Sequence, residues 1–130
     1  MRKILTLILL LSVSGWIFAQ NNVSPAITNA MSKGDANAVS SFFNENVEMV
    51  VGTVNDVFSK RQASGILNDF FRRNQVASFQ VIHRGSKEHS AFIIASMRAG
   101  NSNYRVYILV RIVNNQQLIQ QLRIEISNEE

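Results

Sequence analysis

The chain predicts an α+β fold in which a few short helices pack on an antiparallel sheet. Two observations carry this: apolar residues recur at helical spacing in three stretches before Arg73, and from Phe79 onward the period changes to two. A third sets the boundaries, because residues 1–19 read as a signal peptide and leave 20–130 as a single domain of ordinary size.

The leader is read from its polarity. Arg2 and Lys3 precede the apolar run from Ile4 to Val13, which is too short to span a hydrocarbon core of about 30 Å comfortably. The small residue Ala19 stands just before polar Gln20-Asn21-Asn22, so cleavage is expected after Ala19, with export to the periplasm or beyond. An uncleaved anchor is the competing reading, since Trp16-Ile17-Phe18 prolongs the apolar stretch. Without Arg2 and Lys3 the mature chain carries eleven basic against nine acidic residues, so the basic character of the whole chain is no nucleic-acid signal. The absence of cysteine excludes a disulfide scaffold, a thiolate metal site and a lipid attached at a cysteine, so no stable membrane anchor is expected after cleavage.

Ser24-Pro25 opens the first helix, with a capping hydroxyl followed by proline where the missing N–H costs nothing. Ala26, Ile27, Ala30 and Met31 line its apolar face, and Gly34 ends it. Asp35 caps a second short helix whose apolar side is Val39, Phe42 and Phe43, giving a helical hairpin. Val47 to Val51 and Val54 to Phe58 predict two strands, or one bent strand, about Gly52-Thr53. Ser59 and Gln62 form a capping box before Ala63, Ile66, Leu67, Phe70 and Phe71, an amphipathic helix ending near Arg72-Arg73.

Phe79 to Arg84, Ala91 to Met97, Tyr104 to Val113 and Leu118 to Ile126 then predict a four-stranded antiparallel meander. Its turns are expected at Gly85-Ser86-Lys87-Glu88, Gly100-Asn101-Ser102-Asn103 and Asn114-Asn115. Alternation places Tyr104, Val106, Ile108, Val110 and Ile112 on one face and Arg105, Tyr107, Leu109, Arg111 and Val113 on the other. In the last strand it sets Leu118, Leu122, Ile124 and Ile126 against Ile119, Gln121, Arg123 and Glu125. The second face is more apolar than solvation requires, so Tyr107, Leu109, Arg111 and Ile119 are candidate interface residues of a homodimer.

This order of elements resembles the nuclear transport factor 2-like cone, in which a curved sheet wraps around helices and leaves a pocket between them. More narrowly, Met31-Ser32-Lys33-Gly34-Asp35, Phe70-Phe71, Phe79 and His83-Arg84-Gly85 resemble the domain of unknown function 4783 family of short exported bacterial proteins. The resemblance implies a fold and no activity, since the cone hosts isomerases, dehydratases, carriers and association modules alike. It implies no catalytic residues either.

The chemistry-bearing residues are few. His83 has the parity to share a face with Phe79 and Val81 and to serve as an acid or base, against the plainer reading of a surface histidine at a strand end. Asp56 is either a pocket carboxylate or the outward residue of a turn, and Glu48 and Tyr104 are lesser candidates. Phe70, Phe79, His83 and Tyr104 would line a pocket for a small apolar or amphipathic ligand. His83 and His89 lack a third metal ligand, and neither a serine elbow nor a phosphate loop is present, so no metal or cofactor is expected. Lys60-Arg61 and Arg72-Arg73 flank one helix, but the aromatic residues follow core periodicities, so no nucleic-acid partner is expected. Three functions remain in order of preference: a non-enzymatic exported domain that holds a ligand and self-associates, a small isomerase- or dehydratase-type enzyme using His83 or Asp56, and an accessory module binding another envelope protein.

Overall fold

The structure, a computed structural model, describes residues 22–128, so the leader expected at 1–19 lies outside the described residues. Three helices and six strands follow the predicted order: α1 Pro25–Lys33, α2 Ala36–Ser40, β1 Phe43–Val51, β2 Val54–Ser59, α3 Lys60–Arg73, β3 Val76–Lys87, β4 Ser90–Ala99, β5 Ser102–Val113 and β6 Gln116–Ile126. The strands form one curved open sheet in the order β2-β1-β6-β5-β4-β3. Every pairing is antiparallel except β1 with β6, which is parallel. The expected meander is therefore β3 to β6, and the N-terminal hairpin extends it through a parallel seam.

Helix ends form where the sequence supplies the right groups. The Ser24 hydroxyl accepts from the Ala26 N–H at 3.2 Å, and Gly34 leaves α1 at φ 64°, a left-handed conformation in which glycine carries no Cβ penalty. Asp35 Oδ1 accepts from the Ala38 N–H at 3.1 Å to open α2. In α3 the reciprocal bonds between Ser59 and Gln62 are both made, at 3.1 and 3.2 Å, so two otherwise unpaired donors are satisfied. The chain start is pinned as well: Gln117 Oε1 accepts from the Ser24 N–H at 2.7 Å while its Nε2 donates to the Asn22 carbonyl at 2.5 Å.

All three helices lie on one side of the sheet, and a continuous core fills the space between. Ile27, Met31, Val39 and Leu67 meet Met49, Ile93, Met97, Val106, Ile108, Leu122 and Ile124, all fully buried. Ala91, Ala95 and Ala99 alternate with larger residues along the inner side of β4, keeping the sheet close to its neighbours.

Four local expectations are corrected. Phe43 does not continue α2; it is buried as the first residue of β1, four residues before the expected start of that strand. Gly85 and Ser86 lie within β3 rather than in a turn, which falls at Glu88-His89. Ile119 belongs to the core face and Leu118 to the outer one, because the register slips between Leu109 and Val110 and one extra β6 residue enters opposite them. Ile126 has inward parity but lines the mouth of a cleft beside α3 and is 65% exposed. By contrast, Asn114 and Asn115 form the expected tight turn, with φ of 51° and 61°.

Gly85 has a steric role. It pairs with Phe92 across the sheet, and a Cβ at this position would overlap the Phe92 ring. Gly65, in α3, has nothing within 4 Å of its Cβ position. Urea denaturation should therefore show Gly85→Val losing about 1–3 kcal/mol through overpacking, and Gly65→Ala gaining about 0.5–1 kcal/mol through helix propensity.

Candidate functional site

The sheet presents its side chains alternately, so one strand serves two different surfaces. On β5, Tyr104, Val106, Ile108 and Val110 turn inward, whereas Arg105, Tyr107, Leu109 and Arg111 turn outward to a face that no helix among the described residues covers. Cross-strand pairing assembles the outer face row by row. Phe92 pairs with Leu109, which pairs with Gln121 and then Glu48; Ile94 pairs with Tyr107, which pairs with Arg123 and then Val50. Phe92 and Tyr107 rings lie 5.8 Å apart at 31°.

The result is a strip of half-buried apolar side chains, Phe92, Ile94, Tyr107 and Leu109, bordered by Arg105, Arg111, Arg123, Glu48 and Glu125. Arg123 Nε donates to Glu125 Oε1 at 3.0 Å. A shallow groove of about 540 Å³ runs over Ile94 and Tyr107 between His83, Arg105 and Arg123. Of the four expected interface residues, Tyr107, Leu109 and Arg111 lie on this face. Ile119 does not, since it is fully buried between Phe43 and Val110.

His83 reaches the same outer groove. A bulge at Ile82 shifts the register so that Val81 pairs with Ala95 while His83 pairs with Ile94, which separates His83 from the inward side chains of Phe79 and Val81. Asp56 is exposed on β2, within a strand rather than a turn, and its Oδ1 accepts from the Val57 N–H at 2.8 Å. Strands β2 and β3 are the two edges of the sheet, so His83 and Asp56 sit at opposite sides of the molecule. Glu48 is exposed on the outer face. No three His, Asp or Glu side chains converge as a metal site among the described residues.

A second concavity opens where the last turns of α3 leave the ends of β1, β5 and β6. The cleft has a volume of about 390 Å³, and Phe70, Tyr104, Ile66 and Ile124 form its wall. Phe70 meets Tyr104 edge to face at 5.3 Å, and Tyr104 is only 8% exposed. Thus Phe70 and Tyr104 share a site, but Phe79 and His83 are not part of it. The rim carries Asp69 and Arg73, with Asn74 closing α3 by donating its N–H to the Phe70 carbonyl at 2.9 Å and its Nδ2 at 3.0 Å. Sequence reading overlooked Ile126 as a lip of this cleft and Phe92 and Ile94 as outer-face residues, although alternation along β4 carried the signal for the latter pair.

The fold is nuclear transport factor 2-like. A putative dehydratase of that class from Streptomyces avermitilis superposes with a TM-score of 0.58 at 12% identity, covering 80% of this chain and 90% of its own, a likeness of fold alone. The chain itself belongs to the family described as Domain of unknown function (DUF4783), whose family model matches residues 24–125. Family structures from Bacteroides uniformis and Bacteroides ovatus agree. The first shares 30% identity over 83% of this chain and all of its own with a TM-score of 0.78, and the second 29% over 85% and all of its own with 0.79. No functionally curated protein matches the chain.

The two sides of the sheet can be told apart by truncation. Ile119→Ala should cost about 2–5 kcal/mol in urea denaturation, as expected for a buried isoleucine. Tyr107→Ala should cost clearly less, because its ring is only half-buried.

Proposed function

We propose that this chain is an exported, non-enzymatic domain that self-associates through the outer face of its sheet and holds a small amphipathic ligand in the cleft beside α3. The observation that carries the reading is the strip Phe92, Ile94, Tyr107 and Leu109, contiguous on a sheet face that no helix among the described residues covers. An antiparallel sheet facing water alternates apolar and polar residues and leaves its solvent side polar. A contiguous apolar strip there gains free energy when it is covered.

A second copy of the chain fits the strip. A two-fold contact uses the same patch on both partners and must be self-complementary. Here both signs of charge border the strip, three arginines with Glu48 and Glu125, so one patch can offer opposite charges to its mate. The apolar centre with a polar rim is also the usual anatomy of such contacts.

The enzymatic alternative has less support. His83 lies at the shallow outer groove and Asp56 is exposed on an edge strand, so neither has the enclosed pocket in which a single acid or base would be shifted toward its task. Export rests on the leader alone, from Arg2-Lys3 through the apolar run to Ala19.

Two measurements test the reading. Tyr107→Glu would remove the central ring of the strip and set beside Arg123 a carboxylate that must lose its water when the contact forms, weakening the dimer by about 2–5 kcal/mol. Native mass spectrometry should show a dimer for the parent and a folded monomer for the variant. A parent that stays monomeric at high concentration, or a variant dimer of unchanged strength, would remove the sheet-face assignment, and a heteromeric complex with another envelope protein would replace it. Independently, the intact mass of the protein recovered from the envelope should correspond to a chain beginning at Gln20. Retention of residues 1–19 would show an anchor instead.

A further inference from the structure

The cleft beside α3 carries more information than its apolar wall. Its charged lining residues are Asp69 and Arg73, both on the outward side of the last helical turns. Asp69 is shared: its Oδ1 lies 3.5 Å from Arg72 Nη2 and its Oδ2 lies 3.3 Å from Arg73 Nη2. Two guanidinium groups therefore face one carboxylate, an excess of one positive charge at the rim. The partial negative charge at the helix end, about half a unit, opposes part of this excess. Asn74 weakens that opposition by capping the Phe70 carbonyl with two hydrogen bonds. Both arginine side chains are about three-quarters exposed, so either can swing toward a ligand without unfolding anything.

The apolar half of the cleft lies directly below this rim. Phe70 stands one residue beyond Asp69 on α3, Ile66 lies one turn earlier, and Ile126 forms the opposite lip at 65% exposure. A large isoleucine left in water beside Phe70 and Ile66 gains from any apolar chain laid across it. The volume of about 390 Å³ is near the lower end of ligand clefts, which run from about 300 to 1,000 Å³, and suits one short chain rather than a multi-ring body.

From this arrangement we infer that the cleft takes a free, single-chain amphiphile with one negative charge. The apolar body lies between Ile66, Phe70 and Ile126, and the head group pairs with Arg73, with Arg72 taking over Asp69. A guanidinium offers two parallel N–H donors to a carboxylate, a match that an alcohol lacks and an ammonium group reverses. This inference rests on the proposed use of the cleft as a ligand site and adds the polarity of the ligand to it.

Calorimetric titration of the protein with octanoate, 1-octanol and octylammonium separates the two claims, since the three share a chain and differ in charge. Octanoate should bind at least fivefold more tightly than octanol, with octylammonium weakest. In Arg73→Gln, a change at one exposed position that leaves Arg72 to neutralise Asp69, octanoate should fall to the level of octanol while octanol itself is unchanged. Ile126→Asp should weaken both. Equal affinities for octanoate and octanol in the parent would overturn the charge assignment and leave the cleft as an apolar site. Failure of all three probes at millimolar concentration would overturn the ligand site itself. Sedimentation with phosphatidylglycerol vesicles, in a protein that ignores free octanoate, would place the anion on a membrane surface and overturn the free-ligand assignment.

Discussion

Strand β6 is hydrogen-bonded on both sides, antiparallel to β5 and parallel to β1, and this double pairing joins the C-terminal meander to the N-terminal hairpin. Its inward side chains must serve two neighbours at once. Ile119 sits against Phe43 and Val110, and Leu122 against Met49 and Ile108. Strict alternation cannot place residues 119 and 122 on the same face. The register slip supplies the missing residue, so both side chains enter the core. The parallel seam also joins residues about seventy positions apart in the chain. Its closure entropy is offset only once α3 and the meander are in place, so the seam is a late contact in folding on general grounds.

Much of the fold was legible because its signals are local. Ser59 with Gln62, Ser24 with Pro25 and the paired asparagines 114 and 115 each fix a short stretch of backbone by their own chemistry, and each forms as read. Bulges leave weaker traces. In β6 the inward residues Ile119 and Leu122 are separated by the glutamines 120 and 121, and in β3 two adjacent apolar residues, Val81 and Ile82, precede His83. Both are breaks in period that a strict two-residue alternation overrides. Each bulge moved a candidate: Ile119 went from the interface to the core, and His83 went to the outer groove. The parallel seam had no local signal at all, since pairing partners distant in sequence are chosen by the assembled core.

The bulges of β3 have a physical consequence beyond register. This strand is an edge, twelve residues long, and a flat edge of that length would offer a row of unpaired backbone groups to other chains. Register shifts after Val76 and after Val81 twist the edge, and His83, Arg84 and Lys87 add charge or polarity along it. Edge-to-edge pairing is thereby discouraged on the β3 side. At the other edge, β2 is short and carries Asp56, which occupies its own neighbour's N–H. With both edges blunted, the outer face is where the remaining uncovered apolar area of the sheet is concentrated.

The outer strip and the α3 cleft are also separable by construction. They share strands β5 and β6 but draw on opposite side-chain parities: Tyr107 and Arg123 belong to the strip, Tyr104 and Ile124 to the cleft. A partner covering the strip leaves the cleft mouth open, so occupancy of both is sterically compatible. Coupling between them would require the two strands to have two arrangements of different affinity, since a ligand shifts an equilibrium only by its differential binding. The fully buried residues between the surfaces, Val106, Ile108 and Leu122, are packed on both sides by sheet neighbours and helices. A close-packed layer of this kind resists a small continuous displacement. Occupation of one surface should therefore leave the affinity of the other unchanged, since the two draw on opposite faces of the same pair of strands.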